Sequence, residues 1–154
     1  MEFKIEKDVD HSQEFVRNLS QMKGVAIKAG ITKRVGQLQS RKGKEKVVNY
    51  AFFNEFGTKH IPERSFLRTT FDNKENSWFN TISNRAEIVI TENNGASKIT
   101  QELGRIMKEA IRGKITSRVP PPNSEATLRQ KEGNITLIDT GLMYRVIDFE
   151  VVKK

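Results

Sequence analysis

Asn54-Glu55-Phe56-Gly57-Thr58-Lys59-His60-Ile61-Pro62-Glu63-Arg64-Ser65-Phe66-Leu67-Arg68 is the stretch around which the rest of the chain is read. Gly57 takes a positive φ without a Cβ penalty, which suits a helix end after Asn54-Glu55-Phe56. Pro62 fixes its own φ and pushes Ile61 into extended geometry, so the chain runs straight before turning again. A helix beginning after Pro62 would put Arg64 and Arg68 on one face and turn Phe66 and Leu67 inward. The stretch thus reads as a rigid connector that shows guanidinium groups on a hydrophobic anchor. Nothing in it is catalytic.

Upstream, Val47–Phe53 leads into the connector as a short helix ending at Gly57, with Val48, Ala51, Phe52 and Phe56 on one face and Phe52 and Phe56 expected in the core. Before it, residues 32–46 carry Lys33, Arg34, Arg41, Lys42, Lys44 and Lys46 against one acid, Glu45, and few apolar anchors. That composition predicts a long flexible basic loop of the kind a phosphate backbone attracts. It holds no aromatic residue, so a stacking platform for single strands is not indicated. Val25–Ile31 reads as a largely buried strand. A helix over 12–23, capped by Asp10 or Ser12 and ended by Gly24, has Phe15, Leu19 and Met22 on its stripe. Phe3–Lys7 alternates like a short edge strand.

Downstream, Asp72 or Asn73 caps a predicted long helix over 74–91, with Trp78, Ile82, Ala86 and Val89 inward and Phe79 and Ile90 beside them. Asn93-Asn94-Gly95 breaks the pattern, and Ser97 opens a second long helix to 117. Its inward residues are Ile99, Leu103, Ile106, Ala110 and Ile111, and Gly104 and Gly113 are read as sites of close packing. Val119 and Pro120, Pro121 and Pro122 form a stiff arm over 119–123 that cannot enter a sheet interior. A short capped helix follows over 124–131. Asp139 or Thr140 then caps a turn at 142–145, and 146–152 alternates as a last strand. The expectation is a single domain over 1–154 of α+β class. A small, mainly antiparallel sheet packs on two long helices, with the basic loop and the proline-rich arm as appendages.

The chain of 154 residues has no cysteine, which excludes a disulfide framework and any cysteine-based zinc site. His11 and His60 lack ligand spacing, so neither a metal nor another cofactor is expected. The N-terminus alternates charge with apolar residues and reads as neither signal peptide nor membrane anchor; a cytoplasmic origin and no membrane partner are expected. A net charge of +8 points to an anionic neighbour, with nucleic acid the first candidate.

Asn54-Glu55-Phe56-Gly57-Thr58 followed by Ile61-Pro62-Glu63-Arg64-Ser65-Phe66-Leu67-Arg68 resembles the motif of tail-completion and neck proteins of tailed bacteriophages, where a proline is usual at position 65. Two further segments carry the likeness in the same order. One is the proline-rich run into Thr127-Leu128, with Glu125 where a proline is usual; the other is Leu137-Ile138-Asp139-Thr140-Gly141. The resemblance implies a virion structural protein, assembled in the host cytoplasm and completing the tail as a hexameric ring that joins it to the head–tail connector. Its partners would be copies of itself, the connector, the tail tube or terminator and, non-specifically, the DNA of the channel. In that setting Asn54, Glu55, Phe56, Gly57, Pro62, Phe66, Leu67, the proline arm and Asp139 belong to the protein interface. Arg64 and Arg68 would grip a neighbour's carboxylates, and the basic loop would meet DNA or a partner.

Asp139-Thr140-Gly141 after two apolar residues is also the aspartic-protease signature, but that fold needs a β-domain after the motif and only 13 residues follow Gly141. No other catalytic constellation stands out, and no enzyme is expected. The alternative from another class is a prophage-encoded nucleic-acid-binding protein, motivated by charge and loop. It lacks a helix with a basic recognition face free of core residues.

Overall fold

A helix of 22 residues, Gly95–Thr116, carries most of the packing in the computed structural model, which describes residues 12–39, 45–131 and 133–153. In chain order the elements are α1 (Ser12–Met22), β1 (Val25–Ile31), α2 (Val47–Phe56), α3 (Arg68–Ser83), α4 (Ala86–Thr91), α5 (Gly95–Thr116), α6 (Glu125–Gln130), α7 (Leu142–Val146) and β2 (Ile147–Lys153). The class is α+β: seven helices and one two-stranded antiparallel sheet among the described residues. The predicted edge strand at 3–7, the possible cap Asp10, and Arg41, Lys42 and Lys44 lie outside those residues.

Ile99, Leu103, Met107, Ile111 and Ile115 recur every fourth position along α5 and are buried, the spacing of one helical face. β1 and β2 lie against that helix in the register Ile31↔Ile147, Ala29↔Phe149 and Ile27↔Val151. Gly104 permits the approach: a Cβ there would stand 2.1 Å from the Phe149 ring. Gly113, by contrast, faces open space.

Two apolar clusters form along α5. One joins Trp78 of α3 to Leu103 and Met107, with Ile27, Ala29 and Ile82 against it. The larger sits at the C-terminal end and gathers Val47 and Ala51 of α2, Phe66, Ile111, Ile115, Val119, Leu137, Met143, Val146 and Ile147. Phe66, Ile115 and Ile147 are fully enclosed, each contributing about 1.5–3 kcal/mol by burial. This larger cluster fixes the connector, the proline-rich segment and α7 around one point.

Several boundaries differ from expectation, each for a local reason. The first long helix starts at Arg68 rather than 74, and a break at Asn84–Arg85 separates α3 from α4. Its stripe is only partly inward: Trp78 and Val89 are buried, but Ala86 and Ile90 are exposed and Phe79 is 68% exposed. On α1, Leu19 is exposed and the buried residue is Asn18, whose amide Nδ2 donates to the Val89 and Glu92 carbonyls at the end of α4. The basic stretch is tied down at both ends. Gly36 N–H donates to Thr32 O, Val47 N–H to Leu38 O, and Gln39 bridges Lys46.

Candidate interaction site around the connector

On α2 the buried residues are Val47, Ala51 and Glu55, four apart. The aromatic residues Phe52 and Phe56 lie off that face, 57% and 50% exposed, where the hydrophobic pattern put them in the core. The inward slot at position 55 holds a carboxylate because of what it meets. Glu55 Oε2 accepts the backbone N–H groups of Phe66 and Leu67, both at 2.8 Å. Its Oε1 accepts the Arg68 N–H at 3.0 Å, the Ser65 hydroxyl at 2.8 Å and Arg68 Nε at 3.1 Å.

These N–H groups open α3, where no intrahelical acceptor exists and the helix dipole favours an anion. Glu55 is thus the cap of α3, supplied from 13 residues upstream of Arg68, in place of Asp72 or Asn73. Burial by itself would raise the Glu55 pKa, but the hydrogen bonds from Leu67, Arg68, Ser65 and Phe66 outweigh it and hold it below the ordinary value. Ser65, at the position where the resembling motif has proline, also accepts the Thr69 N–H at 3.3 Å.

Gly57 ends α2 with φ +71°, and a Cβ there would lie 3.0 Å from Glu63 N and 3.2 Å from Ile61 O. The chain after Pro62 folds back across this glycine, with Arg64 N–H on Asn54 O at 2.6 Å. Asn54 is held in turn by donating to Tyr50 O at 2.7 Å. Residues 62–65 are not helical, so Arg64 and Arg68 do not share a face.

Each guanidinium is engaged inside the chain, where display to a neighbour was expected. Arg68 spans Glu55 and Glu63, the latter at 2.7 Å, and stacks 4.6 Å over the exposed Phe56 ring. Arg64 is only 6% exposed and donates Nε to Pro121 O at 2.8 Å and NH2 to Pro122 O at 3.1 Å. The proline-rich segment is therefore latched to the connector; its Pro120–Pro121 peptide is cis.

These contacts frame a cleft of about 880 Å³. The connector forms one wall, the residues from Pro121 to Lys131 a second, and Thr136 to Met143 a third. Tyr50 stands in it with its phenol pushed up to about 12, chiefly by burial, with Arg145 opposing and Asp139 reinforcing the shift. Lys131 donates to the Ile135 and Thr136 carbonyls, both at 2.9 Å. Burial lowers its pKa, Asp139 raises it and Arg64 lowers it further, so these three charges feel one another. Asp139 lines the cleft, and Gly141, at φ +72°, is the N-cap residue of α7. Ser124 does cap α6, accepting Thr127 N–H.

Of the expected site residues, Asn54, Pro62, Arg64, Pro121, Pro122 and Asp139 meet at this cleft. Phe56 and Arg68 face outward beside Phe52, while Phe66 and Leu67 anchor inward. Lys33, Arg34 and Lys46 are exposed and do not line this cleft. Sequence reasoning missed the capping role of Glu55, the latch made by Arg64, and Lys131. The four-residue spacing of Val47, Ala51 and Glu55 was the available signal for the first. Among the described residues no cluster of three or more His, Asp or Glu is placed to hold a metal, and no helix is long and apolar enough to cross a membrane.

Comparison of the chain with protein-family models, curated proteins and solved structures finds no match in any of the three.

Proposed function

We propose that this chain is a structural protein of the phage neck or tail end, forming a ring that completes the tail and joins it to the head–tail connector around the DNA channel. One observation carries the reading: the three separated segments that resemble the neck family are bonded into one unit. Glu55 and Arg64 tie the first segment to itself and to the second, and the third closes the cleft they share. A motif kept for its fold would behave so, whereas chance similarities would scatter over the molecule.

The exposed aromatic face supports an assembly role as well. The Phe52 and Phe56 rings lie tilted together with centroids 4.7 Å apart beside Arg68, and aromatic and arginine residues are enriched at protein interfaces. On this reading the interface is Phe52, Phe56 and Arg68, with Arg64 holding the connector rigid rather than gripping a neighbour. The basic stretch with Lys33, Arg34 and Lys46, and the proline-rich arm, would make their further contacts on assembly with adjacent rings or channel DNA.

Light scattering on the purified protein, alone and mixed with tail-tube and connector proteins, tests the proposal. A ring-sized species, alone or with a partner, is expected. A persistent monomer that ignores those partners and binds duplex DNA in a salt-sensitive way would overturn it in favour of a nucleic-acid-binding protein, which the net charge of +8 alone favours.

A further inference from the structure

The cleft beside the connector is rich in hydrogen-bond donors and poor in acids. Arg64 is buried, yet both acceptors of its guanidinium are neutral carbonyls, those of Pro121 and Pro122. Lys131 is half-buried and donates to the carbonyls of Ile135 and Thr136, with Asp139 the acid whose charge reaches it. The Asn123 amide Nδ2 is enclosed without an acceptor. At the rim, Arg145 NH1 stands 3.4 Å from where a Cβ on Gly141 would be. Among the described residues that line the space, Asp139 is the single acid.

A buried guanidinium held by neutral carbonyls is costly, and an orphaned amide donor adds to the cost. An anion entering the cleft relieves both. A volume of about 880 Å³ exceeds what a single ion needs and suits a short run of extended chain. Ile61, Pro62, Leu137 and Leu142 supply apolar wall between the donors. A nucleic-acid backbone fits poorly, since Asp139 would face a continuous row of phosphates across an apolar surface.

We infer that the cleft receives an acidic, extended segment of a partner protein, its carboxylates meeting Lys131 and Asn123 in the field of the buried Arg64 and its apolar residues lying on Ile61, Pro62 and Leu142. Occupancy needs only the free chain and does not depend on ring assembly. An extended segment with carboxylate and apolar side chains in alternation offers one group to the donors and the other to the apolar wall, so period-two patterning fits best.

Fluorescence polarisation with a fluorescein-labelled octapeptide of alternating Glu and Val tests this on the full chain, with the Gln/Val octapeptide and a labelled DNA duplex as controls. The Glu peptide is expected to bind at least about ten-fold more tightly than the Gln peptide, as charge-assisted hydrogen bonds require. Lys131→Gln and Asn123→Asp should each weaken it by about ten-fold, and Lys131→Arg should restore it. Absence of binding, equal affinity for the two peptides, or indifference to both substitutions would overturn the inference. So would duplex binding weakened by the same substitutions. A monomer that binds the Glu peptide would sink the ring and keep this inference, and a ring that ignores the peptide would do the reverse.

Discussion

Glu55 accepts the backbone N–H of Phe66 at 2.8 Å, so the end of α2 caps the start of α3 across the connector. A local cap fixes one helix; this one fixes the angle between two. The carboxylate also takes the N–H groups of Leu67 and Arg68, leaving little freedom for the residues between. The rigid connector expected from Gly57 and Pro62 thus owes its rigidity to a buried acid.

Acid sensitivity follows from that acid. Glu55 has a pKa held below its ordinary value of 4.5. Its stabilisation is full above that value and is lost as pH falls through the lower folded-state pKa, because protonation removes acceptor capacity. Urea midpoints measured from pH 6 to pH 3 should fall more steeply for the native chain than for Glu55→Gln. At neutral pH, Glu55→Gln should cost about 2–3 kcal/mol, since an amide turns a donor toward N–H groups. Parallel slopes in acid would contradict the capping role.

Two glycines of α5 should respond with opposite signs to the same substitution. Gly104→Ala forces its Cβ onto the Phe149 ring, and overpacking of this kind costs about 1–3 kcal/mol. Gly113→Ala meets nothing and should stabilise by about 0.5–1 kcal/mol through helix propensity. Thermal unfolding of the two variants decides it. If both destabilise, the sheet does not approach α5 at Gly104 alone.

Arg64→Lys should loosen the proline-rich segment. One ammonium cannot reproduce the paired Nε and NH2 bonds to Pro121 O and Pro122 O, so a loss of about 1–3 kcal/mol is expected. Arg118, exposed and at φ +55°, lies just before the segment. Limited trypsin digestion should cut after Arg118 faster in the variant, and an unchanged rate would show that the latch does not hold the arm.

Much of this architecture was legible in residue patterns. β1 runs from Val25 to Ile31 as its branched residues implied, although it is half-buried rather than largely buried, with Gly30 its one buried residue; α5 showed its stripe because it buries apolar side chains at the period of a helix. The face of α2 was misread because its inward slot at 55 is charged, which left Phe52 and Phe56 as the most hydrophobic face. The start of α3 was misplaced for the same reason: its cap is distant in sequence and has no signature in the first turn. Asn18, a polar residue in mid-helix, gives no sign that it is buried. The cleft was invisible because its three walls come from segments far apart in the chain. Composition flagged each wall, but only packing around Phe66 and Ile115 brings them together.

The aromatic face of α2 gives the sharpest test of assembly. Phe52 and Phe56 are already half exposed or more, so Phe52→Ser with Phe56→Ser should change the stability of the free chain by only about 1 kcal/mol. Their removal also strips the ring that Arg68 stacks on, while Arg68 keeps its bonds to Glu55 and Glu63. The connector should therefore stay intact while the outward patch disappears. If the patch joins subunits, as the proposed ring requires, the double variant should unfold like the native chain yet run as a monomer in light scattering at concentrations where the native chain assembles. Apolar aromatic contacts survive added salt and ion pairs do not, so native assembly should persist at high salt. A double variant that still forms the native-sized species would place the subunit interface elsewhere and return the aromatic face to the category of surface without a partner.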